Sequence, residues 1–158
     1  MLEILKDKVF ILLSVVLILG FLLLGRYNVV VNYTHSLPQK IFIVDKKDND
    51  LHVGNYVAFR SYGLPNISNN HRILKVIKGV AGDQITVKDN YVLINNNPIA
   101  KIYYKMAFWG KINPIESTVI PKDCYFMSGI ATTSFDSRYK EFGLICKKLI
   151  VGRAYPLF

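Results

Sequence analysis

The chain of 158 residues predicts a mainly β protein: an antiparallel β-sheet domain preceded by one N-terminal transmembrane helix. Three observations carry this. An uninterrupted apolar run occupies residues 9–25. Short segments rich in Val, Ile, Tyr and Phe then recur between turn residues. After the apolar run, no segment keeps a helical period of apolar positions for as long as about ten residues.

The apolar run, VFILLSVVLILGFLLLG, contains neither a charge nor a proline. At ~1.5 Å per residue its ~17 residues rise about 25 Å, near the short limit for spanning a bilayer core. Lys6 and Lys8 would also suit a cleavable secretory leader. The run is longer than an ordinary leader core, however, and its exit, Gly25-Arg26-Tyr27-Asn28, lacks the small-x-small pattern of a cleavage site. The expected organisation is a short cytoplasmic tail at 1–8, a retained anchor at 9–26 and an extracytoplasmic domain at 27–158. Positive residues on the short flank keep that side in the cytoplasm. In a bacterium this places the anchor in the inner membrane and the domain on its periplasmic or outer side.

Within the domain, strands are expected at 29–33, 41–45, 56–60, 73–77, 84–88, 91–95, 99–104, 124–128 and 149–155. Asp89-Asn90 and Asn95-Asn96-Asn97 read as two successive tight turns, making 84–104 a small meander. A closed or folded-over antiparallel sheet is the economical way to hide the strand edges. No linker or repeat divides the domain.

The formal charge is +9, but the lysines are scattered and no zinc-finger spacing or basic helix appears, which argues against a nucleic-acid partner. A solvated basic surface lying against anionic lipid headgroups accounts better for the charge, with the lipid bilayer as partner. Three scattered histidines and two distant cysteines lack metal-ligand spacing, so neither metal nor other cofactor is expected. Cys124 and Cys146 bracket the segment SFDSR (134–138) and are candidates for a disulfide. In the stretch 103–112, YYKMAFWGKI, Tyr103, Tyr104 and Trp109 suit either docking at headgroup level or the core.

The candidate chemistry begins in NYTHSLP (32–38). A serine hydroxyl is a weak nucleophile near neutral pH and needs a base within reach and donors aimed at the developing oxyanion. Pro38 restricts Leu37 to extended geometry, which holds Ser36 in a constrained loop. Thr34 and the Ser36 N–H are candidate oxyanion donors. Adjacent side chains of extended chain point to opposite faces, so His35 is poorly placed as a base. His52 and His71 remain possible, with no acidic residue evident nearby to orient them. Lys75 is the stronger base: in a strand it shares a face with Ile73 and Ile77, and burial among them favours the neutral amine. Lys78, beside Gly79 on the opposite face, is its rival. Ser134 can orient the lysine amine, and Asp136 and Arg138 can pair to lock their loop.

These segments, in this order after an anchor, resemble the type I signal peptidase superfamily of Ser-Lys proteases. The pattern N-x-T-x-S-x-P at 32–38 is similar to its TraF-like, conjugative-transfer branch. The resemblance implies an all-β catalytic domain that removes leader peptides from precursor proteins or pilin precursors, and in that branch can also cyclise a pilin. It implies Ser36 as nucleophile, Lys75 as general base, Thr34 and Ser36 as oxyanion hole, Ser134 as the lysine-positioning residue and Asp136–Arg138 as a structural ion pair. Gly82-Asp83 matches the end of the family's lysine segment. Val80-Ala81 replaces its usual Leu-Pro, and Ser128-Gly129-Ile130-Ala131 differs from the Gly-Asp-Asn of ordinary leader peptidases. The alternative from another class is a non-catalytic anchored β module that scaffolds a secretion or conjugation complex.

Overall fold

The computed structural model describes residues 2–106 and 108–157. Met1 of the expected tail, Ala107 of the aromatic stretch and Phe158 at the end of the domain lie outside the described residues. Helix α1 (Leu2–Arg26) contains the whole apolar run. Its portion Asp7–Arg26 is long and apolar enough to cross a membrane by length and composition, and none of it is buried inside the fold. Phe10, Leu17, Phe21 and Leu24 are all exposed, as expected of a helix whose sequence has no polar face to turn outward.

Among the described residues thirteen strands follow: β1 (Tyr27–Val31), β2 (Ile41–Asp45), β3 (Tyr56–Arg60), β4 (Arg72–Gly79), β5 (Gln84–Lys88), β6 (Tyr91–Ile94), β7 (Asn97–Lys101), β8 (Lys105–Met106), β9 (Gly110–Lys111), β10 (Thr118–Val119), β11 (Cys124–Ser128), β12 (Ile145–Cys146) and β13 (Ile150–Pro156). Seven form one sheet in the order β1-β2-β13-β3-β4-β11-β12, four form a second in the order β10-β5-β6-β7, and β8 pairs with β9. The fold is thus mainly β with a single apolar N-terminal helix, and the strand pairs are antiparallel.

The structure shifts several expected boundaries: β1 and β7 each begin and end earlier, β4 is longer at both ends, β6 ends one residue sooner and β13 lies one residue later. Two of the shifts have a local physical reason. β1 begins directly after Arg26, two residues earlier than the expected 29, because the helix end is fastened to the neighbouring strand. Arg26 Nε donates to both Asp45 carboxylate oxygens at 3.0 Å and Nη2 to Oδ2 at 2.6 Å, while the Arg26 carbonyl accepts the Lys46 N–H at 3.0 Å. β7 begins at Asn97 and not at 99. Asn95 and Asn96 both take positive φ, 50° and 65°, as the two central residues of a tight hairpin turn do. The third asparagine is therefore free to enter the strand. Asp89 and Asn90 repeat this geometry between β5 and β6.

Alternation along β3 and β4 feeds two cores. Val57, Phe59 and Ile77 pack with Ile85, Val92 and Ile94 of the second sheet, joined by Phe126 and Met127. Ala58, Leu74 and Val76 pack with Val30, Leu37, Phe42 and Val44. Cys124 and Cys146 face each other across β11 and β12 and form a disulfide, which ties together the two ends of the segment containing residues 134–138.

At Gly152 the backbone of β13 runs against β2. A methyl group there would meet the Asp45 carbonyl oxygen at 2.1 Å and its carbon at 2.8 Å. Backbone atoms cannot swing aside as a side chain can. Gly152→Ala is expected to cost about 1–3 kcal/mol or more, which at this chain size is a fall of roughly 2–4 °C per kcal/mol, read as the melting midpoint in detergent.

Candidate active site

The site is built by two loops that converge on the side of β4 facing the larger core. The first, residues 32–40, joins β1 to β2 and is closed by Asn32 N–H donating to the Lys40 carbonyl at 2.7 Å. The second, residues 129–138, leaves β11, whose Ser128 and Met127 pair with Val76 and Ile77 of β4. The loops touch each other: the Ser36 carbonyl accepts the Ile130 N–H at 2.8 Å.

Ser36, Lys75 and Ser134 are all buried, at 7%, 5% and 4% exposure, and line one cavity of about 710 Å³. Lys75 Nζ donates to Ser134 Oγ at 2.8 Å. Burial pushes the Lys75 amine down from its ordinary value to about 8; Arg138 adds to this and Asp136 opposes it. The Ser36 hydroxyl shares a hydrogen bond of 2.8 Å with Thr34 Oγ1. Among the described residues, the Ser36 N–H donates to no backbone carbonyl. Nucleophile and base candidates thus open onto the same space, each bonded to its own supporting hydroxyl and not to the other.

Beneath them lies the pair Asp136 and Arg138, 0% and 2% exposed. Arg138 Nε donates to Asp136 Oδ1 at 2.8 Å and Nη2 to Oδ2 at 2.9 Å. Nη1 donates to the carbonyls of Lys101 and Thr132 at 3.0 Å, and the second Nη2 hydrogen is shared between those of Ala131 and Ser134 at 3.2 and 3.0 Å. Asp136 Oδ2 also accepts the Gly129 N–H at 2.8 Å. Four backbone groups of the second loop, from residues 129, 131, 132 and 134, are thereby bonded to one ion pair.

The other candidates fall into place around this centre. His35, His71 and Arg72 border the cavity. His52 does not border it, and the expectation that it lacks a nearby acidic residue is corrected: the carboxylate of Asp50, two positions earlier in the chain, lies 2.7 Å from its ring on the exposed surface. Lys78 is half-buried and outside the cavity lining. Trp109 stacks on Phe135 with ring centroids 4.1 Å apart, and both border the cavity beside the exposed Phe108. Asp83 accepts the Val80 N–H at 2.8 Å and the Asn95 side chain at 2.7 Å, closing the turn after β4. Among the described residues, no group of three or more His, Cys, Asp or Glu side chains is placed to hold a metal ion.

Two contributors were not singled out from the sequence. Asn32 accepts a hydrogen bond from the Thr34 hydroxyl at 2.9 Å, and only its place in N-x-T-x-S hinted at a role. Gly129 lies where the two loops pack: a methyl group there would sit 2.2 Å from Ser134 Oγ and 2.9 Å from the Ser36 carbonyl oxygen. A single glycine in an unassigned loop carries no sequence signal for such a contact.

Compared with known proteins, the chain matches over residues 1–158 the profile of a family described as signal peptidase, peptidase S26. No curated protein matches it. Among solved structures, a signal peptidase I from Enterococcus faecalis V583 is 19% identical, with a TM-score of 0.42, and the match covers 68% of this chain and 98% of that one.

Gly129→Ala should displace Ser134 and release the lysine amine from its 2.8 Å bond. The expected outcome is a drop in catalytic turnover of more than roughly tenfold, the order of effect of misplacing a catalytic group. Turnover of a purified precursor by the wild type and the variant, with melting midpoints recorded alongside, checks it.

Proposed function

The chain belongs to the signal peptidase family, peptidase S26, a family of serine endopeptidases that remove leader peptides from precursor proteins, and we propose that it works as a Ser36–Lys75 peptidase anchored in the bacterial inner membrane. In this reading residues 9–26 span the bilayer and residues 27–158 form the catalytic domain on the periplasmic or outer side. The observation that carries it is the Lys75 amine, buried to 5% exposure, held by Ser134 and opening onto the same cavity as Ser36. A lysine stem with a solvated head would need neither the burial nor the second hydroxyl, and a scaffold module would have no use for either.

The reaction follows from these groups. On substrate entry the Ser36 O–H turns from Thr34 toward the neutral Lys75 amine. As Ser36 Oγ bonds to the scissile carbonyl carbon, its proton passes to Lys75. The Ser36 N–H and the Thr34 hydroxyl donate to the resulting oxyanion. Collapse breaks the C–N bond, the Lys75 ammonium protonates the leaving amine, and an acyl-enzyme remains. Water attacks this ester, giving its proton to Lys75, and Ser36 is regenerated. The loop pattern N-x-T-x-S-x-P supports a pilin precursor as substrate, as in the TraF-like branch. There the acyl group passes to the substrate's own amine when that amine reaches it before water does.

Two outcomes test this. Ser36→Ala and Lys75→Ala should each abolish leader removal from a pilin precursor in detergent while leaving the far-ultraviolet circular dichroism unchanged. Product mass distinguishes hydrolysis from cyclisation, which loses one further water. Full activity in Lys75→Ala would remove the dyad.

The pH dependence has a definite sign. A base must be unprotonated, and burial lowers the Lys75 pKa to about 8, so kcat/KM should rise about tenfold per pH unit below that value and level off above it. A profile that stayed flat from about pH 6 to about pH 9, a window across which an amine lowered this far must lose its proton, would leave Lys75 without the role.

A further inference from the structure

We propose that Asn32 is a positioning residue of this site: its carboxamide fixes the Thr34 hydroxyl and, through it, the side chain of Ser36. The inference rests on the Ser36–Lys75 reading given above.

Four hydrogen bonds determine how the carboxamide lies. Its Nδ2 donates to the carbonyls of Leu37 and Gln39, each at 3.2 Å. Its Oδ1 accepts the Thr34 N–H at 3.3 Å and the Thr34 hydroxyl at 2.9 Å. The reversed amide would face an oxygen to two carbonyls and an NH₂ to an N–H donor, losing its acceptable contacts, so one orientation is selected.

That orientation sets the direction of the next bond. A threonine hydroxyl has one hydrogen, and here Asn32 Oδ1 takes it. In the 2.8 Å contact between Thr34 and Ser36, the serine must then be the donor and the threonine the acceptor. Asn32 therefore holds Thr34 Oγ1 in place as an acceptor, which fixes the rotamer of Ser36 at the edge of the cavity. It also keeps the serine proton turned away from Lys75, whose amine is bonded to Ser134. Substrate reverses the chain: an oxyanion competes with Asn32 for the threonine hydrogen while the serine hydrogen turns to the lysine.

Asn32 also ties the two ends of its own loop, through its backbone N–H to the Lys40 carbonyl at 2.7 Å. The backbone bond survives any side-chain substitution, so the side chain's part can be isolated. The isosteric change Asn32→Asp keeps an acceptor for Thr34 but sets a carboxylate oxygen against the carbonyls of Leu37 and Gln39, and the side chain must turn.

The test is a double-mutant cycle on full-length protein in detergent, with the pilin precursor as probe. Asn32→Asp and Asn32→Ser are each made in the wild-type background and in Thr34→Val, which keeps the shape and removes the hydroxyl. Acting through Thr34, each Asn32 substitution should lower kcat roughly tenfold with KM within about twofold in the wild-type background, and by less than about twofold once the hydroxyl is gone. Equal losses in both backgrounds, unchanged kcat in the wild-type background, or failure of both variants to fold would overturn the proposal, the last by assigning the side chain to loop stability alone. Leader removal surviving in Ser36→Ala would instead strike the underlying dyad reading, so the two failures are distinguishable.

Discussion

A carboxylate and a guanidinium buried together, Asp136 and Arg138, form the constraint on which the rest of the site depends. Taking two ions out of water is costly, and their attraction offsets the cost only when the geometry is close and the other donors and acceptors are satisfied. Both conditions hold here. The pair is bidentate, and the remaining guanidinium hydrogens reach four backbone carbonyls of residues 101–134. The carboxylate also takes the Gly129 N–H. Such a pair adds little net stability over well-packed apolar residues, but it admits only one path for the loop. Ser134 lies on that path, and Ser134 receives the lysine amine.

The same pair also acts on the charge of Lys75. Asp136 favours its ammonium form and Arg138 disfavours it, so the two effects oppose each other and burial is left to set the direction. Burial is the largest of the three influences, so the amine stays below its ordinary pKa despite the carboxylate. The ion pair thus places the amine through its bonds to the Ser134 loop and, by being a pair, leaves desolvation to lower the amine's pKa. Phe135, next to Ser134, is stacked between Trp109 and Tyr139, and it borders the same cavity as Lys75.

Much of this was legible in the sequence where local rules act alone. The long strands showed as alternating apolar segments, and Asp89-Asn90 and Asn95-Asn96 showed as turns because few residue types accept positive φ. Ser36, Lys75 and Ser134 stood out by residue type within ordered segments, and the cavity they share is a product of the β4–β11 pairing, which is long-range. The strands at 105–106, 110–111, 118–119 and 145–146 were missed because two residues carry no periodicity; each exists only through its partner. Trp109 could be read either way from its sequence, and the fold uses it beside the cavity, stacked on one face, with Phe108 exposed next to it. Gly129 and Asn32 were overlooked for a common reason. Their parts depend on what approaches them in space, a methyl-sized gap in one case and two carbonyls five and seven residues ahead in the other.

The joint between helix and sheet bears on where the proposed chemistry occurs. Because β1 starts at the residue after Arg26, helix α1 runs directly into the sheet, and the Arg26–Asp45 pair with the Lys46 N–H fastens the helix end to β2 as well. Asp45 is held below its ordinary pKa chiefly by its hydrogen bond to Arg26, so the fastening persists as an ion pair at neutral pH. Ser36 is ten residue steps past Arg26; at ~3.3 Å per extended residue the serine can lie no more than about 33 Å from the helix end. The loop that carries it folds back between β1 and β2, which shortens the distance further. Under the proposed reading, in which residues 9–26 span the bilayer and Ser36 is the nucleophile, a short joint keeps Ser36 within reach of a substrate segment just outside the lipid, where a long linker would let it wander.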